Sequence, residues 1–375
     1  MIRLALLIIF LLVALLAVFK APEYHLWLLA IAVTEFPLIF AGITVLLLLA
    51  GFIPQRFQVA GTIVGLMALL VYLSPIARSW LVARSLKQEI SASLGEANTN
   101  PAPLSLCALF SGSGKPLPHQ TLTYVTYPDT AITLDYYRSQ IGGKRPCVIV
   151  VHGGSWAGGD SQQLPELNTI LAKTGYNVAS INYRLAPKYQ SPAPVQDVKA
   201  ALNYLRQHAD SLHIDTNNFI LLGRSAGAQI ALLAAYTLHD KDLKGVIDFY
   251  GPADMVWGYS IPSNPLIMDS RKVMEDYLGG SYPKVPQNYA NSSPLEFADQ
   301  HAIPTLIIHG HNDVLVAYEH SRRLNQKLQQ NGIKHYWLKL PWATHGFDYN
   351  INGPGGQLST YAVEYFLNIV TAKAS

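Results

Sequence analysis

Apolar positions crowd into the first eighty residues. Residues 4–19 form an uninterrupted apolar run, with Arg3 before it and Lys20 after it. A second run covers residues 36–53, where Thr44 is the lone polar side chain. A third covers 57–76 and carries Gly61, Gly65 and Tyr72. Runs of this length match helices that cross the hydrocarbon layer of a bilayer. They predict three transmembrane spans, at about 3–19, 36–53 and 57–76, within a membrane region of residues 1–78. The apolar stretch 26–33 is too short to cross alone. It either extends the second helix, with Pro37 as a kink, or lies at the membrane surface with Trp27 as an anchor, so the span count runs from two to four. Glu35 then falls near a membrane surface, and a functional carboxylate inside the membrane is the sharper reading. A cleaved signal peptide is the competing reading of the first run. The lack of a small-x-small site before Lys20, and the apolar sequence that follows, speak against it.

The pattern changes after residue 78. Residues 79–118 read as a linker, and within them 91–103 is rich in Ser, Ala, Asn and Pro. From 119 to 375 short β-branched runs alternate with helical periodicity. Residues 120–127 and 131–138 predict a hairpin turning at Pro128 and Asp129. Strands follow at 147–152, 177–183, 219–222, 246–250, 305–309 and 335–340. The predicted helices are 162–174, 195–208, 226–236, 318–330 and 361–371. Strands joined by crossover helices predict an α/β fold with a doubly wound, mainly parallel sheet. Residues 251–298, between two strands, have a mixed composition.

Charge and cysteine content narrow the function classes. The 375-residue chain carries a formal net charge of +3 and only 14% charged residues, with no Lys/Arg run. That excludes a phosphate-binding face, so no nucleic-acid partner is expected. Cys107 and Cys147 have no metal-ligand spacing, and Cys147 lies in an apolar run expected to bury an inert thiol. With three spans, Arg3 and Arg56 share one side of the membrane. Lys20, Arg78, Arg84 and Lys87 share the other with the C-terminal domain. The excess of positive charge favours a cytoplasmic domain, and the side reverses if the span count changes by one.

The chemistry-bearing residues sit at strand ends. Gly223-Arg224-Ser225-Ala226-Gly227 follows a predicted strand and precedes a predicted helix. That context lets a tight turn lift a serine hydroxyl above the sheet, with the helix aiming its positive end at it. His152-Gly153-Gly154-Ser155-Trp156 follows another strand. Its bare backbone, with Ala226, offers N–H groups to an oxyanion; a Gly-rich turn serving only chain reversal is the alternative. A serine nucleophile needs a base and an orienting acid. Asp313 and His345 lie in loops just past two strands, on the carboxyl edge where open α/β sheets place their sites. His309, His311 and His320 compete with His345 for the role of base.

These motifs, in the order Ser, Asp, His, resemble the α/β-hydrolase superfamily. The closer resemblance is to its hormone-sensitive-lipase-like and carboxylesterase or feruloyl-esterase-like branch, from about residue 120 to the end. Tyr183-Arg184-Leu185-Ala186-Pro187, then Pro192-Ala193-Pro194 and Asp197, looks like a segment of that branch. The resemblance implies a triad of Ser225, Asp313 and His345, oxyanion donors at Gly153, Gly154 and Ala226, and a cap over the site at about 251–298. Ser155, Trp156, Trp257 and Tyr259 are the candidate pocket residues, and Asp197 is read as structural. Two positions depart from the pattern. Ser155 stands where the branch has a third glycine, and Arg224 stands where it often has Asp. The expectation is a membrane-anchored serine hydrolase acting on a small or lipidic ester, with membrane lipids around it and neither metal nor organic cofactor. Amidase or peptidase chemistry on the same fold is the alternative, because HGGxW also occurs in kynurenine-formamidase-like enzymes. A non-catalytic ligand-binding protein on the same scaffold, or a membrane transport or scaffolding protein in which this domain is secondary, completes the set.

Overall fold

A computed structural model describes residues 1–53, 56–97, 102–112 and 114–372. Among the described residues eight strands form one sheet: β1 (Gln120–Tyr127), β2 (Thr130–Tyr137), β3 (Arg145–Val151), β4 (Asn177–Ile181), β5 (Ile214–Arg224), β6 (Leu243–Phe249), β7 (Thr305–Gly310) and β8 (His335–Leu340). Their order is β1-β2-β4-β3-β5-β6-β7-β8. β2 runs antiparallel to both β1 and β4; every other neighbouring pair is parallel. This is the expected mainly parallel α/β-hydrolase sheet, with a hairpin at one edge.

The apolar sequence of β3 is explained by burial on both faces. Cys147, Ile149 and Val151 join one core, and Val148 and Val150 join the other. The first core is covered by α6 (Ala193–Gln207), α8 (Ala226–Thr237) and α12 (Glu319–Gln330). The single turn α7 (Ala209–Leu212) leads into β5, and a cap of α9 (Met255–Ser260), α10 (Ser270–Leu278) and α11 (Pro286–Asn291) lies between β6 and β7. The second core is covered by α5 (Pro165–Thr174) and α13 (Pro354–Val370). Both cysteines are free; Cys147 is buried and Cys107 exposed.

The N-terminal region differs from the sequence expectation. It holds α1 (Ile2–Ala14), α2 (Tyr24–Glu35), α3 (Pro37–Leu49) and α4 (Gln58–Leu94). α1, α3 and α4 pack up, down and up. Arg3 reaches the start of α4 through Gln58 O at 3.2 Å and the end of α3 through Leu47 O at 2.8 Å. Tyr72 donates to Phe10 O at 2.7 Å, and Arg78 donates to Ala17 O. Arg3 is therefore buried as a cap on α3 carbonyls rather than standing free as a flanking charge. α1 and α3 have 13 residues each. At 1.5 Å per residue that is about 20 Å, short of a hydrocarbon layer of about 30 Å. Among the described residues only α4, with 37 residues, is long and apolar enough to cross a membrane alone, which replaces the expectation of three full spans. α2 and α3 would qualify only as one broken pair, bent by 85°.

Two further expectations change. Residues 79–94, assigned to a linker, continue α4, and Leu86, Ile90 and Leu94 enter the second core beside α13. Burying three such side chains is worth about 1.5–3 kcal/mol each, enough to hold the helix against the sheet. Residues 98–101 and 113 of the expected linker lie outside the described residues. The second change concerns α2, which docks on the α/β domain. Glu23 caps its first turn by accepting from the Leu26 and His25 N–H groups, and Pro37 stops it. Glu35, expected near a membrane surface, is buried against the segment that leads into α13. Its carboxylate accepts from Gly355 N–H at 2.8 Å, and its carbonyl accepts from Asn350 Nδ2 at 2.7 Å. A Cβ at Gly353 would lie 2.5 Å from the Glu35 carboxylate, and one at Gly355 2.9 Å, so the glycines ahead of α13 form the seat for this side chain.

Candidate active site

β5 delivers Ser225 to a turn with φ 54° and ψ −121°, and α8 begins at the next residue. A non-glycine residue at positive φ stores about 1–3 kcal/mol and persists where its surroundings hold it. Here the holding group is Gly227. A Cβ there would lie 2.2 Å from Val151 O and 2.3 Å from His152 O. Glycine lets α8 press against the end of β3 and aim its first turn at Ser225. The Ser225 N–H donates to Phe249 O at 2.9 Å, which fixes the turn from the neighbouring strand.

Three separate loops meet at this turn. Ser225 Oγ–H donates to His345 Nε2 at 3.0 Å. His345 Nδ1–H donates to Asp313 Oδ2 at 2.7 Å. Asp313 is fully engaged, because its Oδ1 accepts from the Leu315 and Val316 N–H groups at 2.8 and 2.9 Å. Its Oδ2 also accepts from His309 Nε2–H at 3.1 Å, while His309 Nδ1 accepts from Ser321 Oγ–H at 2.7 Å. Burial pushes the Asp313 carboxyl up. The imidazoles of His345 and His309 outweigh it and hold the group well below the usual carboxylate range. His309, weighed as a rival base, is brought to the acid instead. Its place at the end of β7, four positions before Asp313, was the available signal.

The other rivals are placed elsewhere. His320 Nδ1 accepts from Asp254 N–H at 3.2 Å, and burial pushes its imidazole down to about 3, leaving a neutral ring on the cavity wall. His311 is exposed and packs on Tyr318.

The Gly-rich loop after β3 lies beside Ser225: a Cβ at Gly153 would lie 3.3 Å from Ser225 Cβ. The Gly153 N–H donates to Gln163 Oε1 at 2.7 Å, which commits a group expected to be free for an oxyanion. His152 Nδ1–H donates to Gly153 O at 2.7 Å, and its ring stacks on Tyr183. Gln163 was not recognisable from sequence, because its approach is set by the loop between β3 and α5.

A cavity of about 420 Å3 opens over Ser225. Ser155, Trp156 and Ala226 line it beside Ser225. Trp156 donates to Gln229 Oε1 at 2.9 Å and stacks on Tyr277. Trp257 and Tyr259, expected in the pocket, are not among its lining residues. α9 presents Gly258 to the cavity; Trp257 packs on His320 and Arg323, and Tyr259 on Tyr289 and Glu275. Arg224 also stays out of the cavity. It forms a buried pair with Asp348, which accepts from Tyr250 Oη–H as well, beneath the His345 loop. Asp197 is buried and paired with Arg184 at 2.9 Å, the structural role expected of it.

The N-terminal segment completes the site. Trp27 Nε1–H donates to His345 O at 3.1 Å, Asn312 Nδ2 donates to Val18 O at 3.3 Å, and Lys20, Ala21 and Pro22 line the cavity. Trp27, expected as an anchor at the membrane surface, faces the His345 loop.

Comparison with known proteins agrees with this architecture. A family model described as BD-FAE matches residues 134–328, just over half of the chain. Esterase LipC of Mycobacterium tuberculosis is 29% identical over 261 residues, covering 64% of this chain and 63% of that protein. The probable carboxylic ester hydrolase LipM of the same organism is 27% identical over 257 residues, covering 64% and 58%. The chain thus spans less than two thirds of the length of these relatives. Among solved structures, a bacterial heroin esterase is 20% identical with a TM-score of 0.60, covering 78% of this chain and 93% of that one. The carboxylesterase EstE1, from a metagenomic library, is 19% identical with a TM-score of 0.60, covering 78% and 98%. Those two likenesses show the fold.

Proposed function

The chain belongs to the BD-FAE family, and from that premise we propose that it is a serine carboxylic ester hydrolase with Ser225 as nucleophile, His345 as base and Asp313 as acid. The observation that carries this reading is the unbroken hydrogen-bond path from Ser225 Oγ through His345 to Asp313.

In the proposed reaction His345 Nε2 takes the Ser225 proton as Oγ attacks the ester carbonyl. The N–H groups of Gly154 and Ala226, at the positive end of α8, hold the oxyanion. The tetrahedral intermediate collapses, and His345 returns the proton to the departing alkoxide. Water, deprotonated by His345, then releases the acid from the acyl-enzyme. Asp313 keeps the proton on Nδ1, so Nε2 faces the nucleophile as an acceptor. The same reading seats the bundle of α1, α3 and α4 in a membrane, supported by apolar residues exposed on its outside, among them Leu12, Leu46, Met67 and Leu70. The positive charges at its domain end favour a cytoplasmic catalytic domain.

Ser225→Ala is expected to remove hydrolysis of p-nitrophenyl acetate and labelling by a fluorophosphonate while leaving the circular dichroism spectrum unchanged. Retained turnover would refute the assignment. Fluorophosphonate labelling in intact against permeabilised cells reads the side of the membrane.

A further inference from the structure

The cavity has an inner end at Ser225 and an outer end built from two distant pieces of chain. Its inner walls are apolar, with Ile267, Met268, Val273, Met274 and Val316 among them. Lys20 and Asp313 are its charged lining residues, and the Asp313 carboxylate is already engaged. Such a sleeve suits a neutral hydrocarbon chain.

The outer end is formed by Lys20, Ala21 and Pro22 from the N-terminal segment and by Ile261, Pro262, Ser263 and Asn264 from the cap. The two pieces are stitched together. Asn264 Nδ2 donates to Pro22 O at 2.8 Å, and Tyr24 N–H donates to Leu266 O at 3.1 Å. Apolar side chains stand exposed around the stitch: Phe19 at 62%, Leu266 at 70% and Ile261 at 56%. Phe19 lies two residues past the helical segment that begins with α1 and ends at Ala17, so this rim continues the apolar exterior of the bundle. Arg78, bonded to Ala17 O, marks the same level on α4. An exposed apolar patch joined to a bundle of apolar helices, with a cavity opening through it, is arranged to meet a lipid surface.

We infer that the Phe19, Ile261 and Leu266 rim rests in the surface of the bilayer holding the bundle, and that the cavity draws its substrate, an ester with a hydrocarbon chain, from that bilayer. The inference rests on the serine-hydrolase reading of the site and on the membrane seat proposed for the bundle. Lys20 fits the same placement, with its stem along the apolar wall and its ammonium at headgroup level.

The test uses the full chain in palmitoyl-oleoyl phosphatidylcholine vesicles with two esters, p-nitrophenyl acetate in solution and p-nitrophenyl palmitate carried in the vesicles. Phe19→Ser combined with Leu266→Ser alters the rim without touching a cavity-lining residue. It is expected to lower kcat/KM for the palmitate at least tenfold and to leave the acetate within twofold. Equal loss on both esters, or no loss on the palmitate, overturns the inference. A second readout does not need catalysis: Leu266→Cys in a Cys107→Ser background, labelled with bimane, is expected to be quenched by brominated phosphatidylcholine. Absence of quenching overturns the inference even where the acetate is hydrolysed. Failure of the hydrolase reading shows differently, as turnover of neither ester by the unsubstituted chain.

Discussion

The indole N–H of Trp27 donates to the main-chain carbonyl of His345 across 3.1 Å, joining residues 318 positions apart. The helix that carries Trp27 thereby holds the loop that carries His345. Trp27→Phe keeps most of the apolar contact and removes the donor. A hydrogen bond of this kind is worth about 0.5–1.5 kcal/mol. If that energy positions the imidazole, kcat falls by about twofold to tenfold at nearly constant KM, measured by steady-state hydrolysis of a short ester. An unchanged kcat would show that the loop holds its shape without α2.

Asp313 lies between two imidazoles of unequal function. His345 connects it to Ser225, whereas His309 connects it to Ser321. Asp313→Asn is expected to cost about 10³-fold or more in kcat, since the tautomer of His345 is then wrong. His309→Gln is expected to stay within about tenfold. It also removes one of the groups that hold the Asp313 carboxyl down. A depressed carboxyl contributes stability above its unfolded pKa of about 4, lost as the pH falls below that value. His309→Gln therefore reduces stability near neutral pH more than at pH 3, as urea unfolding across that range would show.

Arg224 and Asp348 form a pair in which both side chains are about 2% exposed. Removing one partner strands a buried charge, at a cost of about 3–5 kcal/mol. Arg224→Met is expected to lower Tm accordingly. Adding Asp348→Leu should recover a large part of the loss, although Tyr250 then lacks its acceptor. If the double variant is no more stable than Arg224→Met alone, the pair is not what ties the elbow to the His345 loop.

Asp248, at the end of β6, is fully buried. One carboxylate oxygen accepts from Gly251 N–H at 2.7 Å and the other has no partner. Burial pushes its pKa up to about 7. The neutral form suits the fold, so the contribution is fully present below the unfolded pKa of about 4 and is lost as the pH rises through 7. The loss is on the order of a few kcal/mol. Asp248→Asn cannot ionise, so its stability relative to the parent should improve steadily from pH 4 to 8. A constant difference over that range would remove Asp248 as the source.

What the sequence determined by itself was whatever is written in short windows. Short strand-like runs bounded by turn residues marked every strand of the sheet, since strand patterning is recorded within a few neighbouring positions. Ser225, Asp313 and His345 were legible because each follows such a strand at its carboxyl end, and a doubly wound sheet brings those ends together. Helix packing and long-range approach are not written in windows. Nothing near residue 27 says that its indole reaches residue 345, and nothing near Glu35 names the glycines ahead of α13 as its seat. The same holds for Gln163 on the Gly153 N–H, and for Trp257 and Tyr259, which α9 turns away from the cavity. Apolar runs at 3–19 and 36–53 look alike to a bilayer and to a protein surface, because both reward burial of the same side chains. Only the tertiary structure decided that α1 and α3 are short, that α4 runs on into the catalytic core, and that the segment between α1 and α2 forms a wall of the site.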